Sequence, residues 1–192
     1  MKRINIIKSI FFIGTIAFGV SCTDLEEEVL DGFVIDGSGS NSNTSSFLQS
    51  AYEGLRGFQD QDKMFTLEEM SGDGLVGPTR GGDWDDNAKW RQFHVHTWGP
   101  DNVEIRNAWN ALLTNVYNCN LVIYGGATES QKVQARFLRA FYYYNVIDLF
   151  GQVPYREEGS AITADPKYWT RKEATAFVIA ELEDVVTKLP AR

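Results

Sequence analysis

Apolar residues recur at helical spacing in four stretches of the chain, and Gly, Pro, Ser and Asp collect between them. In residues 47–58, Leu48, Tyr52 and Leu55 fall at i, i+4 and i+7, with Phe47 and Ala51 widening the stripe. Asn43, Thr44 or Ser45 would cap that helix, and Gly57 weakens its end. The clearest stripe is Ile105, Trp109, Leu112, Val116, Cys119 and Ile123, which predicts a helix over 102–124. Asp101 with Glu104 three residues on forms a capping-box pattern, and Gly125-Gly126 stop the helix. A third helix is expected over 129–150, opened by Thr128 and Gln131 and closed by Gly151 and Pro154. Val133, Phe137, Ala140, Tyr144 and Ile147 line one face, and Leu138, Phe141 and Leu149 broaden it, as in a helix covered on more than one side. A four-residue gap joins these two helices and demands an antiparallel hairpin. The last helix starts at Thr170, again with a Glu three residues later, and carries Val178, Leu182, Val185 and Leu189 up to Pro190. No helix follows to cover that stripe, so the chain reads as cut short. The starts do not repeat at a fixed period, so the 34-residue tetratricopeptide pattern is absent as sequence. The fold class is all-α, built of antiparallel helix pairs with long irregular loops.

Two segments break this pattern. Residues 31–46 are rich in Gly, Ser, Asn and Asp and read as a flexible tether. Residues 60–100 hold six glycines and three of the five Trp, with no helical stripe. A loop of that length inside a compact domain is usually functional, and its aromatics argue that it is ordered.

The N-terminus changes the sums. Lys2, Arg3 and Lys8 precede an uncharged apolar run, Ile10 to Val20, too short to span a bilayer and suited to a signal peptide over 1–21. The run ends in Gly19-Val20-Ser21-Cys22, which resembles a lipobox that makes Cys22 the acylated mature N-terminus. The whole chain of 192 residues carries 26 acidic and 18 basic side chains, net −8. Removing 1–21 takes three positive charges and no negative one, which leaves 15 basic, 26 acidic and a net charge of −11. That excess argues against nucleic-acid binding, which needs basic groups to displace phosphate counterions. With Cys22 lipidated, Cys119 stands alone and no intrachain disulfide forms. The acidic run Asp24 to Glu28 keeps the tether off anionic headgroups.

Within residues 73–90, planar polar groups and indoles lie together. Asp73, Arg80, Asp83, Asp85 and Asn87 offer hydrogen bonds, and Trp84 and Trp90 offer ring faces, a combination suited to sugar hydroxyls and C–H faces. Burial is the competing reading for Trp90, Phe93 and Trp98, and it is preferred for Trp98, which leads into a helix; Trp109 is core by its stripe. Asp83, Asp85 and Asn87 share the spacing of a calcium loop, but Ala88 and His94 stand where Gly and a bidentate acid belong, so no cofactor is expected and a looser calcium site is not favoured. His94 and His96 alternate as on a strand, without a third zinc ligand nearby. No nucleophile elbow, phosphate loop or His-Glu-x-x-His motif points to catalysis, and Glu68-Glu69 read as a solvated pair. Arg136 and Arg139 sit on an aromatic helix, which predicts buried ion pairs with Asp148 or an acid on a neighbouring helix. Tyr144 is expected in the core, with Tyr142 and Tyr143 packing between helices.

Several of these segments together resemble the N-terminal part of SusD/RagB-family outer-membrane lipoproteins. The resemblance rests on the lipobox, on Ser50 to Gly57, on Thr97-Trp98-Gly99-Pro100-Asp101-Asn102, on Ile105 to Trp109, and above all on Ala135 to Tyr144 continuing through Asp148-Leu149-Phe150-Gly151-Gln152-Val153-Pro154-Tyr155. It implies stacked helix pairs, tetratricopeptide-like, over 47–192, preceded by a lipidated tether over 22–46. It implies no catalysis. The implied function is binding of oligosaccharide, or of peptide in some branches, at the cell surface, with delivery to a SusC-type TonB-dependent transporter. A helical scaffold serving only protein or peptide contacts is the alternative. The implied location is the outer membrane, lipid-anchored and surface-exposed, with part of the ligand site in sequence beyond this chain.

Overall fold

The computed structural model describes residues 43–72, 74–77, 88–157, 160 and 165–189, all within one unit of mutually contacting chain. The expected signal peptide over 1–21, Cys22 and all but the last residues of the tether lie outside the described residues. The elements are α1 (Thr44–Glu53) running into a 3-10 turn (Gly54–Phe58), α2 (Met64–Glu69), α3 (Lys89–His94), α4 (Val103–Tyr124), α5 (Glu129–Phe150), β1 (Val153–Tyr155), β2 (Lys167–Trp169) and α6 (Arg171–Val185). The fold is helical, with a single antiparallel strand pair among the described residues in the register Val153↔Trp169, Pro154↔Tyr168 and Tyr155↔Lys167. Neither the strands nor α2 and α3 announce themselves in the hydrophobic pattern, because each is six residues or shorter.

α4 and α5 form the central hairpin. Trp109 near the start of α4 meets Phe150 at the end of α5, with ring centroids 4.9 Å apart, and Arg139 reaches Asn120 and Tyr124 in the second half of α4, so the two helices run antiparallel. Their core is Leu112, Val116 and Cys119 against Leu138, Tyr142 and Val146. α5 begins as its capping box requires: the Thr128 hydroxyl accepts from the Gln131 N–H, and the Gln131 side chain accepts from the Thr128 N–H. It ends at Gly151, whose φ of +80° is a left-handed stop that a side chain would resist.

The start of α4 differs from expectation. Asn102, not Asp101, is the cap; its Oδ1 accepts from the N–H groups of Glu104 and Ile105. This one-residue shift turns Glu104 into the interior, where it is 1% exposed and paired with Lys89 at 3.0 Å.

α1 lies across the hairpin. The 3-10 turn approaches α4 so closely that a Cβ on Gly54 would sit 2.3 Å from the Asn115 side chain, so a larger residue there would have to displace that amide. Tyr52 is exposed rather than buried, and its hydroxyl donates to Gln134 on α5. Tyr142 and Tyr143 are buried, but Tyr144 is 58% exposed. Consecutive helical residues are turned by about 100°, so three tyrosines cannot share one face, and the core takes the first two.

α6 packs along the other side of α5. Its stripe is covered by the helix before it: Ala174, Val178 and Val185 are buried. The contacts run antiparallel, from Arg136 with Asp184, through Arg139 with Glu181, to Tyr143 with Phe177. The ion pairs expected of the two arginines are therefore made with α6, and not with Asp148.

Candidate functional site

The site begins where α3 turns into α4. α3 carries two inward aromatics, Trp90 at 5% and Phe93 at 2% exposure. Lys89 places its ammonium 4.2 Å from the Trp90 ring centroid and also pairs with Glu104, which joins the first turn of α3 to the first turn of α4. Gly77 packs against Trp90 so tightly that a Cβ there would come within 2.6 Å of the Trp90 Cβ. Trp90 thus seats the chain on both sides of residues 78–87.

After α3 the backbone bends at His96, whose φ of +54° is left-handed, and Ala88 ahead of α3 is left-handed as well at +63°. Non-glycine residues pay for that conformation, and such strain collects around functional loops. Asn102 closes the junction by donating to Gln92 at 3.1 Å while it caps α4. His94 and His96 lie at the end of α3 and in the following turn rather than on a strand, so the expected same-side arrangement does not arise. No group of three His, Cys, Asp or Glu side chains able to hold a metal occurs among the described residues.

Trp98 is the outcome of this geometry. One face stacks on Phe93, at 5.5 Å and 23°, and His96 leans on it at 5.3 Å. Even so, Trp98 stays 38% exposed and forms one wall of a cleft of about 240 Å³. Leu67, Ser71, Ile105, Leu149 and Phe150 complete the lining. The expectation that Trp98 merely anchors its loop is half right, because the same indole is both seated on the core and open to solvent. An apolar cleft with a ring face and one hydroxyl, that of Ser71, in its lining suits the C–H face of a sugar ring.

Of the residues singled out from sequence, Asp73, Arg80, Asp83, Trp84, Asp85 and Asn87 lie outside the described residues. Trp90 lies within them, buried beside the stretch that holds the others. The reading from sequence missed Ser71 and Leu67, since α2 has no detectable period; the only signal for Trp98 was its place in Trp-Gly-Pro-Asp ahead of a helix. No helix of the described residues is long and apolar enough to cross a membrane.

No protein-family model matches the chain, and no curated protein matches it. Solved structures do. The chain is similar to the surface glycan-binding protein A from Bacteroides uniformis, with 23% identity and a TM-score of 0.60 over 76% of this chain and 34% of that one. It is similar also to a laminarin-binding SusD-like protein, with 21% identity and a TM-score of 0.63 over 79% of this chain and 34% of that one. The chain has a SusD-like fold and spans about a third of the length of these two structures.

Proposed function

We propose that the chain is the front part of a non-catalytic, cell-surface lipoprotein that captures oligosaccharide and passes it to a SusC-type TonB-dependent transporter. The observation that carries the ligand reading is the half-exposed Trp98 stacked on Phe93 at the mouth of an apolar cleft. The names of the two similar structures, a glycan binder and a laminarin binder, support it. In this reading the Trp98 ring takes a sugar face, and Asp73, Arg80, Asp83, Trp84, Asp85 and Asn87 supply hydrogen bonds and a second ring from the adjoining segment.

Calorimetric titration with laminarin and other neutral glucans tests the ligand. Trp98→Ala is expected to weaken binding by about tenfold, the loss of one stacked ring, and to lower the melting temperature only slightly, since its stack on Phe93 is lost as well. If no glycan binds, the protein-scaffold reading takes over. Cys22 is the proposed lipid attachment site, and each buried methylene of its acyl chains adds about 0.8 kcal/mol of membrane affinity. Palmitate should label the wild type and not Cys22→Ala, and the variant should leave the membrane fraction. Co-purification of a TonB-dependent barrel from outer membranes tests the transporter partner.

A further inference from the structure

A second aromatic cleft shares no lining residue with the one at Trp98. It opens between the second half of α4, the middle of α5 and the strand pair, with a volume of about 200 Å³. The strand pair brings Tyr155 and Trp169 together on a diagonal, and their rings stack at 3.9 Å and 11°. Trp169 is held in turn by Phe177 at 4.7 Å and Tyr143 at 5.9 Å. Tyr155 remains half-buried at the cleft, so a rigid aromatic wall stands on a fixed base.

The polar side of the cleft is Arg139. Its side chain is 8% exposed, and its guanidinium lies 5.3 Å from the Phe177 ring centroid. Nη1 donates to Asn120 and Tyr124, and Nη2 donates to Glu181. Nε is buried and has no partner. Beside it the Asn120 amide and the Tyr124 hydroxyl also line the cleft, and both types of group hydrogen-bond a ligand hydroxyl. Charge selects the kind of ligand. Arg136 and Arg139 are already matched by Glu181 and Asp184, and Arg156 and Glu157, which also line the cleft, are opposite in sign, so the lining does not call for a further anion. A neutral oxygen, such as a hydroxyl, fits better than a carboxylate or phosphate.

We propose that this cleft is a second ligand subsite that takes one neutral, hydroxyl-rich ring, a single sugar unit, independently of the Trp98 shelf. The ligand class rests on the glycan reading above; the location does not. A cleft of this size holds one ring and not a chain, so it would grip a branch or chain end of a glycan. Two separate contacts on one ligand raise its effective concentration at each, which matters for a protein that must hold glycan before handing it on.

The test uses the full chain labelled with ¹⁵N at its indoles, with each indole signal assigned by Trp→Phe substitution. The probes are the methyl glycosides of glucose, galactose, mannose and N-acetylglucosamine, titrated into the millimolar range. At least one is expected to shift the Trp169 signal saturably. Tyr155→Val, which keeps a strand-forming residue, should weaken that response about tenfold, and Tyr155→Trp should retain it. Trp98→Ala should leave it unchanged. Shifts at Trp98 with none at Trp169 overturn the second subsite and leave the glycan reading standing. Silence at both indoles overturns both. A Trp169 response that survives Tyr155→Val, with the Trp98 response intact as proof of folding, overturns the proposed location.

Discussion

Tyr142 is fully buried at the centre of the molecule, and its hydroxyl donates to the Ala51 carbonyl of α1. One side chain therefore fills the core of the hairpin and holds α1 on it. Tyr142→Phe keeps the packing and strands a buried acceptor, so it should cost about 1 kcal/mol in urea denaturation. Cys119 and Tyr143 report on the same interior through their protons. Burial pushes the Cys119 thiol up from 9.0 to about 12. Burial likewise raises the Tyr143 hydroxyl from 10.0 to about 12. The folded state keeps both neutral where the unfolded chain would ionise. Their stabilisation is present in full below the unfolded values and drains away as pH climbs toward the folded ones. The urea midpoint should hold up to about pH 9 and fall from there toward pH 12. Cys119→Ala should move the start of that fall toward pH 10, where the buried Tyr142 and Tyr143, both raised from 10.0, set it.

Between elements, the decisive contact is the arginine pair of α5 on the acids of α6. Arg139 and Glu181 are 8% and 9% exposed and 2.8 Å apart, so removing one strands the other in a poor solvent. Glu181→Ala should destabilise the protein by about 3–5 kcal/mol. Asp184 is 44% exposed, and Asp184→Ala should cost far less than Glu181→Ala by the same measurement. Helix starts were legible where their chemistry is local. The Thr128–Gln131 and Thr170–Glu173 boxes form as their spacing requires. At α4 two candidate caps stand side by side, and burial chose: with Asn102 as cap, Glu104 turns inward onto Lys89, which lies far away in sequence. The partner of the α6 stripe was illegible for a related reason, since periodicity marks an apolar face without saying which helix covers it.

At the scale of the whole molecule, two indoles divide the work of one region. Trp90 seats the chain, and Trp98 faces the cleft. The chain carries a net charge of −8, yet the Trp98 cleft is lined by apolar residues and Ser71. Binding of a neutral glucan there should be nearly unchanged between low and high salt, because screening acts on charge and not on ring stacking. A loss of affinity on raising salt would point instead to a charged ligand.

The sequence by itself determined the helical class, the antiparallel hairpin, two of the caps and the resemblance to SusD-like proteins, because each depends on residues within a turn or two of one another. Tertiary structure decided which of three adjacent tyrosines lies outside, which acids neutralise Arg136 and Arg139, which indole meets solvent, and that Tyr155 and Trp169 stack beside a buried arginine. Those outcomes depend on which surfaces meet across long stretches of chain. The hydrophobic pattern says how much surface must be covered, and the packing of α5 between α4 and α6 decides what covers it.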